Sequence, residues 1–171
     1  QIDTTQGAGA DRVKIFVNGV AQSMVYTASS GTHIPQNTDL HINNTISNSF
    51  GRRTHQNDEY LQANVAEVHF LDGTITAPTA WAETDATTGQ WIPKEYTGGN
   101  YGTNGFYLDF SDNSDTTSST LGKDRSGNDN DWTPHNFSVA AGVGNDSLED
   151  TPTNNYATLN VLAPNHVTIT N

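Results

Sequence analysis

The sequence predicts an all-β fold of antiparallel strands. Three observations carry that expectation. Apolar residues alternate with period two in several short stretches, the spacing that puts them on one face of a strand. The turn dipeptides Asn18-Gly19 and Asp72-Gly73 close two of those stretches. The helix formers Ala, Glu, Lys, Leu and Arg are thin, while 19 Asn, 24 Thr and 12 Ser fill the 171 residues.

The elements follow in chain order. Val13, Ile15 and Val17 alternate with Lys14 and Phe16, which predicts a strand. Asn18-Gly19 suits the positive φ angles of a type I′ turn, and Val20 to Tyr26 reads as the returning strand. Residues 27–38 read as a loop. Asp39 to Asn43 predicts a short strand with Leu40 and Ile42 on one face, and residues 43–58 a polar loop. Tyr60 to Leu71 is the strongest strand pattern: Ala66, Val68 and Phe70 share one face, Val65, Glu67 and His69 the other. Thr76 to Trp81 predicts a single helical turn, with Thr76 as N-cap and Pro78 tolerated in the first turn. Residues 82–105 hold Gly, Thr and aromatics with few aliphatics. Phe106 to Phe110 alternates and predicts a strand. Residues 111–131 are a long polar stretch. Tyr156 to Leu162 and His166 to Thr170 predict the final strands.

Composition excludes several functions. The net charge of -12 makes the chain a poor nucleic-acid binder, because phosphates repel it. No apolar run approaches the roughly 20 residues of a membrane span. Zero Cys excludes a disulfide framework and thiol chemistry. Acidity alone can mark disorder, but 15 aromatic residues in periodic stretches argue for a folded chain. Gln1-Ile2-Asp3 carries no initiator Met and no signal-peptide pattern, so a processed product or an excerpt is expected.

Three segments carry a family resemblance. Lys14-Ile15-Phe16-Val17-Asn18-Gly19-Val20 is similar to the "YVNG" hairpin of laminin G-like, concanavalin A-like sandwich domains. Asn64-Val65-Ala66-Glu67-Val68-His69-Phe70-Leu71-Asp72-Gly73 resembles a late strand of those domains, with Asn64 where Gly is common. Thr74 to Trp81 fits the helical turn that follows. Further motifs resemble structural proteins of marine tailed bacteriophages: Thr84-Asp85 through Trp91-Ile92-Pro93-Lys94, Gly105 to Ser111, Asp124 to Pro134 and Asp150 to Asn155. The resemblance implies an antiparallel β-sandwich of the concanavalin A-like or jelly-roll type. Residues 1–82 would be the C-terminal portion of a laminin G-like sandwich. Residues 83–171 would be a loop-rich β extension or the start of a second β module. The front half of the first module would lie upstream of Gln1, come from another chain, or be replaced by a different topology.

The residues offer four chemistries to consider. Glycosidases of this fold carry a Glu-x-Asp-x-x-Glu type strand motif, and none occurs. Glu67 beside His69 on one strand face invites an acid/base reading, against the simpler one of a surface polar pair. The six His show no i, i+2 or i, i+4 pairing, which disfavours zinc. Calcium is the more physical metal: Asp124, Ser126 and Asn128 have the 1, 3, 5 spacing of an oxygen-ligand loop, and Asp129 and Asp131 add charge. The alternative is an Asx-turn loop that binds its own backbone. Trp81, Trp91, Tyr96, Tyr101 and Trp132 lie among polar segments and are the candidate glycan-binding platforms, against the reading that they fill a core poor in aliphatics.

The expectation is a non-enzymatic virion component of a tailed phage, in a fibre, appendage or capsid-surface position outside the cell. Its partners would be other virion subunits, copies of itself and a host-surface glycan, with no nucleic acid. A dedicated lectin module is the alternative, with a glycosidase-related enzyme third. A lectin predicts an aromatic-lined groove; a purely structural subunit predicts flat contacts without a pocket.

Overall fold

A computed structural model of the chain describes residues 1–25, 33–53, 59–141 and 145–147. Among them, six short strands are the main regular elements: β1 (Phe16–Val17), β2 (Val20–Ala21), β3 (Val68–Phe70), β4 (Ala82–Thr84), β5 (Trp91–Pro93) and β6 (Phe106–Leu108). Two 3-10 turns, Gly9–Asp11 and Pro78–Ala80, complete the set, and there is no α-helix among the described residues. The fold is all-β. The strands pair as three antiparallel two-stranded ladders, β1 with β2, β3 with β6 and β4 with β5.

The first ladder is the expected hairpin. Val17 pairs with Val20, so Asn18-Gly19 is its two-residue loop. Both loop residues have positive φ, 48° and 78°, which Asn and Gly tolerate best. Its strands are shorter than the alternation of 13–17 and 20–26 predicts. The chain before β1 has another partner: the N-terminal segment bridges Ile2 to Val13. Arg12 ties this region down by donating to the carbonyls of Gln6, Gly7 and Ile34.

The second ladder organises the molecule. Val68 pairs with Leu108, His69 with Tyr107 and Phe70 with Phe106. It joins the two sequence portions divided at residue 82. Alternation gives it two distinct faces. Phe70 stacks on Phe106 with centroids 5.5 Å apart, and Trp132 tilts onto Phe106 at 4.9 Å. On the other face His69 stacks on Tyr107 at 4.1 Å and 8°. The buried apolar residues are few: Leu108 at 2% exposure, Leu121, Ala82 and Tyr101.

Asp124 completes the outer edge of β6. Leu108 forms a bridge with it, and Arg125 N–H donates to the Tyr107 carbonyl at 2.7 Å. The Asp124 carboxylate accepts the Tyr107 N–H at 2.8 Å, so a side chain stands where a strand's carbonyl would.

Several expected elements differ. Asp39 to Asn43 is not a strand: residues 41–43 bend and turn, and Asn43 has φ 60°. The strand of Tyr60 to Leu71 contracts to Val68–Phe70, the stretch that β6 offers to pair. Phe106 to Phe110 likewise stops at Leu108, because Phe110 adopts φ 54°, incompatible with a strand. The helical turn is Pro78–Ala80, capped at Ala77 rather than Thr76, with no side-chain cap bond. Residues 82–105, described by the sequence only in composition, contain β4 and β5. The expected strands at Tyr156 to Leu162 and His166 to Thr170 lie outside the described residues.

Candidate functional site

The polar face of the β3–β6 ladder gathers the chemistry. Period-two alternation sends Glu67 and His69 to one side of β3, and the register places Tyr107 across from His69. Tyr107 Oη donates to Glu67 Oε1 at 2.9 Å. His69 Nε2 lies 3.6 Å from Glu67 Oε2, and His69 Nδ1 is 2.8 Å from Tyr101 Oη. With the imidazole proton on Nε2, the Tyr101 hydroxyl donates to Nδ1.

The second wall comes from the β4–β5 hairpin. Its turn is closed by Asp85, whose Oδ1 accepts from the Thr87 and Thr88 N–H groups and the Thr88 hydroxyl. Pairing of Ala82 with Pro93, together with Lys94 N–H donating to the Trp81 carbonyl at 2.9 Å, brings Trp81 and Lys94 to one end. The Pro78–Ala80 turn delivers Trp81, and its Nε1–H donates to Thr76 Oγ1 at 2.9 Å, which fixes the indole. Thr76 thus anchors the ring that it was expected to precede as a cap. Tyr96 stacks on Trp81 at 4.2 Å and 15°, and Trp81 leans on His69 at 4.7 Å. Tyr96 meets Tyr101 edge to face at 5.4 Å.

The two walls enclose an open groove of about 380 Å³, lined by residues 64–67, His69, Trp81, Pro93 and Lys94. The Glu67 side chain is 33% exposed and that of His69 15%. Burial holds the His69 imidazolium below histidine's ordinary range, against the opposing pull of Glu67. Burial also raises the Tyr101 phenol to about 12, with the neighbouring Tyr96, Asp124 and Glu67 charges adding to it. The Tyr107 phenol is raised as well, first by burial and then by its bond to Glu67. At neutral pH the His69 imidazole and the Tyr101 and Tyr107 phenols are therefore neutral.

Three of the five glycan-binding candidates, Trp81, Tyr96 and Tyr101, meet around His69. Two do not. Trp132 packs on Phe106 against the opposite face of the ladder. Trp91 lies over the first hairpin, where a Cβ on Gly19 would stand 2.8 Å from Trp91 Cζ2. Sequence reasoning missed Lys94, Asn64 and Tyr107. The alternation of Phe106-Tyr107-Leu108 does put Tyr107 opposite its neighbours, but its partner strand is 38 residues upstream at the register pair His69 and Tyr107.

The calcium candidates form a different structure. Asp124, 3% exposed, accepts four bonds: Tyr107 N–H and Ser126 N–H on Oδ1, Ser126 Oγ–H and Asn130 N–H on Oδ2. A carboxylate has about four lone-pair positions, and all are occupied. Asp131 Oδ1 accepts the Asp124 N–H at 2.9 Å. Asn128 donates its amide to the Gly102 and Gly105 carbonyls, and Asn130 to those of Thr103 and Gly105. Asp129 is exposed at φ 60°. In this loop the central carboxylate accepts N–H and O–H donors, the Asx-turn arrangement. Among the described residues no group of three or more His, Asp or Glu converges for a metal. Nor does any described helix have the length and apolarity to cross a membrane.

No family model, curated protein or solved structure matches this chain.

Proposed function

We propose that this protein is a non-enzymatic virion subunit of a tailed phage whose aromatic-walled groove holds a saccharide of the host surface. In this reading the antiparallel ladders are parts of a concanavalin A-like sandwich, working on the outside of the particle. The observation that carries it is the groove: Trp81, backed by the stacked Tyr96, lines it together with the polar side chains of Asn64, Glu67 and His69. Sugars present apolar C–H faces and hydroxyl edges, which match an indole wall beside hydrogen-bonding side chains. A purely structural subunit calls for flat contacts instead. Exposed Ile15, Val17 and Val20 on the first hairpin support contacts with neighbouring subunits as a separate part of the same role. The enzymatic alternative gains little, because among the described residues Glu67 is the one carboxylate on the groove wall and glycoside hydrolysis ordinarily uses two.

The test is a saccharide titration followed by tryptophan fluorescence. Saturable quenching is expected, weakened about tenfold or more by Trp81→Ala and unchanged by Trp132→Ala. Absence of binding across a broad glycan panel would sink the reading.

A further inference from the structure

The groove carries an electrostatic asymmetry that narrows its ligand. Glu67 is a partly exposed carboxylate on its wall, oriented by the Tyr107 hydroxyl. The group positioned to neutralise it is His69, 3.6 Å away, and burial keeps that imidazole neutral. The other lining cation, Lys94, is drawn to Glu83, with Nζ 3.7 Å from Oε2. Among the described residues, therefore, no cation matches the Glu67 charge that lines the groove. The aromatic ring that shares the groove lining with it is Trp81, backed by Tyr96 stacked on it at 4.2 Å. Aromatic faces attract cations, and a partly desolvated carboxylate does so more strongly. The chain's net charge of -12 adds a long-range pull of the same sign.

We propose that the groove selects saccharides bearing a protonated amine, with the ammonium seated against the Glu67 carboxylate beside the Trp81 ring. The inference rests on the saccharide reading above and names the ligand class for the same site. Recognition would then be by charge at the amine and by stacking along the sugar face. An N-acetylated sugar keeps the stacking and loses the charge.

The test titrates the full chain with glucosamine and with N-acetylglucosamine in phosphate buffer at about pH 7, where an amine of α-amino type is mostly protonated. Glucosamine is expected to bind about tenfold more tightly. Added salt shrinks that preference, because it screens charge and not stacking. Glu67→Gln removes the preference for glucosamine, with a melting curve to establish that the variant is folded. Equal affinities for the two sugars overturn the charge selection while leaving the saccharide site intact. Failure of both sugars to bind overturns the charge selection, and the broad glycan panel decides the saccharide reading separately. A preference that survives Glu67→Gln, or that ignores salt, overturns the role of Glu67; the salt series decides the matter even where the variant is unstable.

Discussion

Asp124 receives four hydrogen bonds and is almost wholly buried, so its contribution is structural. Burial alone would raise its pKa, but the Tyr107, Ser126 and Asn130 donors outweigh that and hold it below the ordinary carboxylate value. Its stabilising effect is thus full above the unfolded value of 3.8 and is lost as pH falls through the lower folded value. Asp124→Ala strands those donors, and a loss of about 3 kcal/mol is expected in urea denaturation. An effect below about 0.5 kcal/mol would contradict the arrangement. His69 titrates with the opposite charge type. Its folded pKa is depressed from 6.5, so the unfolded chain takes up the proton first. Stability is therefore full above about pH 6.5 and falls as pH drops through that value toward the folded one. Glu67, Tyr96, Tyr101 and Tyr107 are the titratable groups around the ring. A Tm that declines between about pH 7 and about pH 5, and a flatter decline in His69→Gln, are the expected results.

At the scale of elements, the β1–β2 hairpin was the most legible feature. Asn18-Gly19 supplies both positive φ angles, and the signal is wholly local. What the sequence did not contain is the indole lying on that turn. Gly19→Ala would add a Cβ at φ 78° and force it against Trp91. A loss of roughly 2 kcal/mol is expected, with a shift in tryptophan emission, since strain and contact act together. Unchanged stability and emission would refute the contact. The β4–β5 ladder was missed for a related reason. Its strands carry Glu, Thr, Trp and Pro without clean alternation, and their pairing is set by the Asp85 turn and by Lys94 bonding to Trp81. The strand at Asp39 to Asn43 failed for the converse reason: Leu40 and Ile42 alternate, but the chain offers them no pairing partner among the described residues.

Across the whole molecule, order comes from side-chain bonds to backbone as much as from burial. The loop from Asp124 to Asp131 ties to residues 102–107 through Asn128, Asn130 and Asp124. Gly105 sits at the centre of this tie, accepting both amides at 2.9 Å, where a Cβ would overlap the Tyr101 carbonyl. Because these contacts are made by protein donors, EGTA is expected to leave the Tm unchanged. A fall of several degrees would show that calcium holds the loop after all.

The sequence by itself determined the all-β class, the first hairpin, the two faces of the β3 strand and the acidic, aromatic composition of the site. Each follows from local stereochemistry: period-two alternation and turn residues act over a few positions. Only the tertiary structure decided which aromatics converge and which way Asp124 points. Trp81, Tyr96 and Tyr101 reached His69 because β3 pairs with a strand near residue 107 and a hairpin folds over its polar face. Trp91 and Trp132, indistinguishable from them in sequence, were sent elsewhere by the same pairings. Asp124 was an oxygen ligand by spacing and became a backbone acceptor because β6 left a free N–H beside it. Long-range register and the need to satisfy every buried donor are properties of the folded chain, and no short window of sequence contains them.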